Sequence, residues 1–190
     1  MNSASHNTYL VVGLGNPGGA YSHTRHNAGY EVVDILAERY GVRYWKTEAG
    51  CEAAEIAASR IGAAGNVILA KPQTFMNVSG GPVAKIAKLH HVDIDHIIVV
   101  HDDLERPAST CIIKAGGGHG GHNGLRSIIE KMRSGAFMRV RCGIGRPPGK
   151  MDPATFVLQP LKGAQKDDFD IMCQQAADLV EQFLSGQSGM

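Results

Sequence analysis

Residues 97–103 read Ile-Ile-Val-Val-His-Asp-Asp. Four β-branched apolar residues in succession, with no polar alternation, describe a fully buried strand of the kind found inside parallel sheets. The abrupt change to His101-Asp102-Asp103 puts three titratable groups at its carboxyl end. Open α/β sheets form their ligand crevice there.

Similar units flank this strand. Tyr9–Leu14 is a second short apolar run, ending in Gly13-Leu14-Gly15. Asn27 stands where it could cap a helix reaching about Tyr40, with Val32, Ile35, Leu36 and Tyr40 on one face and Gly41 as its stop. Cys51–Arg60 and Asn66–Ala70 read as strands around a Gly62–Gly65 turn. Pro82–His91 reads as an amphipathic helix with Val83, Ile86, Ala87 and His90 inward. Cys111–Lys114 is a further strand, and Leu125, Ile128, Ile129 and Met132 mark a helix. Phe137–Ile144 alternates Met138, Val140, Cys142 and Ile144 against Arg139 and Arg141, which predicts a half-buried strand with both arginines on its polar face. Gly145–Gly163 is loop-rich. Asp167–Leu184 closes the chain as a helix with Phe169, Met172, Ala176, Leu179, Val180 and Phe183 inward.

Strands and helices alternate, so the expected fold is a single-domain three-layer α/β/α sandwich with a mostly parallel sheet. Pairing of the Cys51 and Asn66 strands would make that sheet mixed. The domain is expected over residues 8–190, after a disordered extension at residues 1–7.

Composition narrows the classes. In 190 residues, 43% are hydrophobic, enough for one sizeable core. The start is polar and lacks a signal-peptide pattern, and no apolar run approaches membrane-spanning length, so a cytoplasmic protein without a membrane partner is expected. The four cysteines form no Cys-x-x-Cys and read as reduced, mostly buried thiols. The net charge of +1 hides a basic zone: from Lys114 to Lys150, eight basic residues face one acid, Glu130. Such a zone suits a polyanionic partner, often nucleic acid, or simply a solvated face.

The chemistry concentrates in polar segments. Residues 116–124 read Gly-Gly-Gly-His-Gly-Gly-His-Asn-Gly, a loop whose backbone N–H groups can approach a ligand closely. It lacks the Gly-Lys-Ser/Thr ending of a phosphate-binding P-loop, and no Gly-x-Ser-x-Gly elbow exists anywhere. His119 and His122 have no third metal ligand spaced nearby. Gly13-Leu-Gly-Asn-Pro-Gly18 matches a dinucleotide fingerprint, but Pro17, Gly18 and Gly19 continue as loop and Asp34 falls mid-helix, which argues against nicotinamide binding. His26, at the delayed helix start, is placed to stay neutral as a general base, or merely to cap. Asn77, in Lys71-Pro-Gln-Thr-Phe-Met-Asn77, could donate to a carbonyl oxygen, with Phe75 and Met76 as walls, or simply cap its helix. Asp102 could orient an imidazole.

Together these segments closely resemble the bacterial peptidyl-tRNA hydrolase family. The resemblance rests on Val12-Gly-Leu-Gly-Asn-Pro-Gly18, Tyr21, Thr24-Arg-His-Asn-Ala-Gly29, Lys71–Asn77 with Ser79-Gly80, His101-Asp102 and Gly116–Gly124, in the same order and spacing over residues 8–184. It implies hydrolysis of the ester bond of peptidyl-tRNA, freeing peptide and tRNA without metal or cofactor, by a monomer. By position, His26 resembles the catalytic base and Asp102 its paired carboxylate. Asn16, Asn77 and Asn123 match asparagines that hold the substrate at the ester, Asn77 also among the catalytic positions. Tyr21 matches a contact to the tRNA 3′ end, and Phe75 is expected among the substrate-binding residues. Lys114 and Arg141 match a phosphate clamp. Arg106-Pro-Ala-Ser109 lacks the glycine usual in that turn, and the tail after Leu184 is short and almost uncharged. A catalytically silent RNA-binding module on the same fold would be favoured by loss of the His or its Asp, and both are present.

Overall fold

The computed structural model describes residues 7–186. Of the expected extension, residues 1–7, only Asn7 falls within that range. Among the described residues seven strands form one mixed sheet: β1 (Tyr9–Gly13), β2 (Lys46–Glu48), β3 (Cys51–Ile56), β4 (Val67–Pro72), β5 (Ile97–Asp103), β6 (Cys111–Ala115) and β7 (Met138–Gly143), in the order β2-β3-β4-β1-β5-β7-β6. The inner strands β4, β1, β5 and β7 are parallel. The margins are antiparallel, β2 and β3 on one side and β6 on the other. The helices are α1 (Ala28–Arg39), α2 (Ala58–Ile61), α3 (Gly80–Leu89), α4 (Asn123–Met132), α5 (Pro153–Val157) and α6 (Gly163–Leu184).

The predicted three layers are present. On one face α1 and α6 cover Val11, Ile98, Val100, Val140 and Cys142. On the other α3 and α4 cover Leu10, Val12, Ile97, Val99 and Phe137. Ile97–Val100 of β5 thus alternate between two cores, which is why that stretch is apolar without a break.

Several boundaries differ from the sequence reading. The Cys51 strand ends at Ile56, and the short α2 takes up Ala58–Ile61. The edge strand β2 and the helix α5 were not expected, since three and five residues carry too little periodicity to register. The inward face of α1 is Val32, Val33, Leu36 and Ala37, whereas Ile35 and Tyr40 are only half-buried. His90 is half-buried rather than inward, its Nε2 lying 2.9 Å from Glu48 Oε2. At the Arg106–Ser109 turn Ser109 itself takes a left-handed conformation, φ 64°, which glycine would adopt at lower cost.

Two features aim α1 at the end of β5. Gly29 lets the first turn of the helix lie on the strand ends: a Cβ there would stand 2.3 Å from both Leu14 N and Val100 O. Asn27, expected as a cap, makes no capping bond. Instead its Oδ1 accepts from Asn16 N at 2.9 Å and its Nδ2 donates to Asn16 O at 3.0 Å, tying the β1 exit loop to the helix start.

Candidate active site

β5 runs three residues past its apolar stretch, so His101, Asp102 and Asp103 lie within the strand and not after it. Alternation sends Asp102 to the opposite face from His101 and Asp103. Asp102 is 3% exposed, and both its oxygens are engaged. Oδ2 lies 2.8 Å from His26 Nδ1, on a 3₁₀ turn, Arg25–Asn27, just before α1. Oδ1 lies 2.8 Å from His122 Nε2, on the residue preceding α4. Two helix starts on opposite faces of the sheet thus meet at one carboxylate.

The tautomers follow from the partners. His122 Nδ1 accepts from Gly124 N at 3.1 Å and Leu125 N at 3.3 Å, capping α4, so its hydrogen is on Nε2 and is donated to Asp102. His26 donates from Nδ1 to the same carboxylate, which leaves its Nε2 as a lone-pair base. Burial alone would lower the His26 pKa, but the Asp102 charge and hydrogen bond outweigh it and the net shift is upward. Burial would likewise raise Asp102, yet the two imidazoles hold its carboxyl well below the usual range. His101, wholly enclosed beside His122, is pushed down to about 4, chiefly by burial, and so is neutral.

The asparagines are presented differently. Asn16 Oδ1 accepts from Met76 N at 2.7 Å, which fixes the amide with its NH₂ group as the free end. Asn123 is the first residue of α4, exposed, its Oδ1 at 3.3 Å from an Arg126 nitrogen. Asn77 is exposed on a 3₁₀ turn, Met76–Val78, and Ser79, not Asn77, occupies the position before α3. Tyr21 and Phe75 pair edge to face with ring centroids 6.2 Å apart, Phe75 being 59% exposed.

A cavity of about 930 Å³ gathers Asn16, His26, Asp102, Asn123, Lys114 and Arg141 along its walls. Tyr21, Phe75 and Asn77 are not part of that lining. The helix α5 and Leu158 provide an apolar wall. Lys114 on β6 is exposed, and Arg141 on β7 gives its Nε to Asp103 Oδ2 at 2.6 Å, leaving both Nη groups unused. Arg139, expected on the solvated face with Arg141, is instead 3% exposed. The face was read correctly, but the glycine-rich loop folds over it, with the Gly117 and Gly118 carbonyls on the guanidinium.

Metal-type donors do converge: His26, Asp102 and His122 offer atoms within 4.8 Å of one another. Each imidazole–carboxylate contact is a hydrogen bond, and His122 Nε2 carries the hydrogen. A cation would have to displace both bonds. His119, the other spaced histidine, accepts from Gly121 N at 2.9 Å within its own turn. At Gly18 a 3₁₀ turn, Gly19–Tyr21, follows and α1 begins only at Ala28, so the dinucleotide reading fails for want of a helix. The links of Asn27 and His122 escaped the sequence reading, although a histidine immediately before a helix start was a usable signal for the second.

A carboxylate-backed imidazole at the C-terminal edge of a doubly wound sheet, opening on a cavity with cations along one wall, defines an α/β enzyme of the hydrolase class. The sequence profile of peptidyl-tRNA hydrolase matches residues 10–189. Curated peptidyl-tRNA hydrolases from Kineococcus radiotolerans and Rhodococcus erythropolis are each 48% identical, over 182 and 180 residues, covering 93% and 95% of this chain and 90% and 93% of their own. The crystal structure of peptidyl-tRNA hydrolase from Acinetobacter baumannii superposes with a TM-score of 0.86 at 35% identity, covering 98% of this chain and 93% of that one. The chain belongs to the peptidyl-tRNA hydrolase family. No helix among the described residues is long and apolar enough to cross a membrane.

Proposed function

We propose that the protein hydrolyses the ester of peptidyl-tRNA with His26 as general base, and so returns tRNA from aborted translation. The observation that carries this reading is the 2.8 Å contact of His26 Nδ1 with Asp102, which leaves Nε2 as the free basic atom at the cavity. His26 Nε2 takes a proton from water as the oxygen attacks the ester carbonyl, and Asp102 stabilises the imidazolium that forms. The tetrahedral oxyanion needs donors. The free NH₂ of Asn16 and that of Asn123, both on the cavity wall, can supply them, each worth ~10²–10³ in rate if aimed at the developing charge, while Asn77, outside that wall, holds the substrate near the ester. The tRNA oxygen then leaves with the proton, and no covalent enzyme intermediate is required.

Tyr21 and Phe75 offer ring surfaces to the bases of the tRNA 3′ end. Lys114 and the free Nη edge of Arg141 face a phosphate, as a point charge and as a planar fork. Asparagine amides carry no counter-charge for an ammonium, so an N-acylated substrate should be preferred over a free aminoacyl-tRNA.

The test is to incubate the protein with N-acetyl-aminoacyl-tRNA in the presence and absence of a chelator and to follow free tRNA. Release in both, with slower release from unacylated aminoacyl-tRNA, is expected. No release, or release abolished by chelation, would overturn the mechanism.

A further inference from the structure

Arg139 is a buried cation without a carboxylate partner among the described residues. Its Cζ lies 4.5 Å from the Phe137 ring centroid. Its guanidinium donates to the main-chain oxygens of Gly117 and Gly118, and to that of Gly135 at 3.0 Å. The packing is close: a Cβ on Gly135 would stand 2.5 Å from Gly117 O. One side chain of β7 therefore fixes the glycine loop from beneath.

That grip determines where the opposite edge of the loop points. No peptide bond among the described residues is cis. A trans peptide sets C=O and the following N–H antiparallel. The Gly117–Gly118 and Gly118–His119 peptides both turn their oxygens onto the guanidinium, so the N–H groups of Gly118 and His119 both face away from it, on the exposed side of the loop. Neither donates to a protein acceptor among the described residues. Successive free N–H groups in a glycine-rich turn make a concavity for an anion.

Charge points the same way. Lys114 stands directly opposite Arg139 across the β6–β7 ladder, and Arg141 lies two residues along the same face. Of these three cations only Arg141 has a carboxylate partner among the described residues, Asp103. Like charges at opposed positions are unfavourable, and an anion held beside Lys114 would offset the repulsion.

We propose that the N–H groups of Gly118 and His119, turned outward by Arg139, form a binding site for a phosphodiester oxygen next to Lys114, with Arg139 as its positioning residue. The proposal rests on the tRNA substrate reading above and adds to it a backbone contact, which fixes the position of the nucleic acid without reading its bases.

The test uses the full-length ¹⁵N-labelled protein titrated with inorganic phosphate at constant ionic strength. Saturable shifts of the Gly118 and His119 amides are expected. Arg139→Lys retains the charge but cannot bridge three carbonyls, so those shifts should be lost. KM for peptidyl-tRNA should rise about tenfold with kcat within about threefold, as expected when a charged hydrogen bond used for binding is removed. A diffuse positive field predicts unchanged shifts and KM in the variant, and that result overturns the proposal. If the variant does not fold, the wild-type titration still decides: silent Gly118 and His119 amides refute the site. Should the wild type bind phosphate there yet release no tRNA from N-acetyl-aminoacyl-tRNA, the substrate reading fails and the N–H site stands.

Discussion

Asp102→Asn replaces one of two engaged oxygens by an NH₂ group, and the surroundings decide which one. His122 Nδ1 is committed to the Gly124 and Leu125 N–H groups, so His122 must donate from Nε2 and requires an acceptor. The new amide must therefore turn its oxygen to His122 and its NH₂ to His26. His26 Nδ1 then has to accept, its hydrogen moves to Nε2, and the atom that should take a proton from water no longer can. The expected cost is the whole general-base contribution, ~10²–10⁴ in kcat, with KM nearly unchanged. Single-turnover release of tRNA from N-acetyl-aminoacyl-tRNA measures it. The pH profile should move as well. Activity needs neutral His26, so it falls as pH drops through a pKa that Asp102 raises. Without that charge burial dominates, and the acid limb of any residual activity should shift to lower pH. The double variant Asp102→Asn, His122→Asn provides the control. Asparagine still caps α4 but is too short to hold residue 102, so the amide can flip and its oxygen can accept from His26. At least about tenfold of kcat should return. A loss below tenfold in the single variant, or no recovery in the double, would refute the tautomer argument.

His26→Ala should lower kcat by ~10²–10⁴ and leave tRNA affinity within about twofold, checked by kinetics and filter binding; near-normal turnover would remove His26 from the chemistry. Lys114→Ala and Arg141→Ala should each raise KM for all peptidyl-tRNAs alike and reduce the slope of log KM against log salt by about one unit at most; unchanged slopes would leave these residues as a solvated face. Gly29→Ala forces a methyl onto Leu14 and Val100 backbone atoms and should cost at least ~2 kcal/mol, lowering Tm by roughly 4–8 °C in a thermal melt; a wild-type Tm would contradict the close approach of α1 to the strand ends.

The fold was legible because its strongest signals are local. An unbroken β-branched run such as Ile97–Val100 has no other common reading, and the spacing of Val83, Ile86 and Ala87 specifies a helix face in ten residues. His26, Asp102, Asn16, Asn77 and Asn123 were nameable because their motifs stand in order along the chain. Their bonds were not nameable. His26 and Asp102 are 76 residues apart, and His122 and Asp102 are 20 apart. Nothing in local periodicity says that both imidazoles share one carboxylate, or that Asn27 holds Asn16 instead of capping α1.

Arg139 separates the two kinds of information most clearly. The period-2 alternation of β7 determined that Arg139 and Arg141 share a face, because a strand must send alternate side chains to opposite sides. It could not determine that one would be buried and the other open to the cavity. That depends on where the loop of residues 116–121 comes to rest, and a loop of five glycines and one histidine leaves no hydrophobic pattern to predict it. Only in the folded chain do the Gly117 and Gly118 carbonyls reach the guanidinium, 22 and 21 residues away. The sequence determined the layers, the order of the elements and the residue types available for chemistry. Tertiary structure decided which oxygens, nitrogens and lone pairs face one another, because hydrogen bonds between distant segments depend on atomic positions that no local pattern encodes.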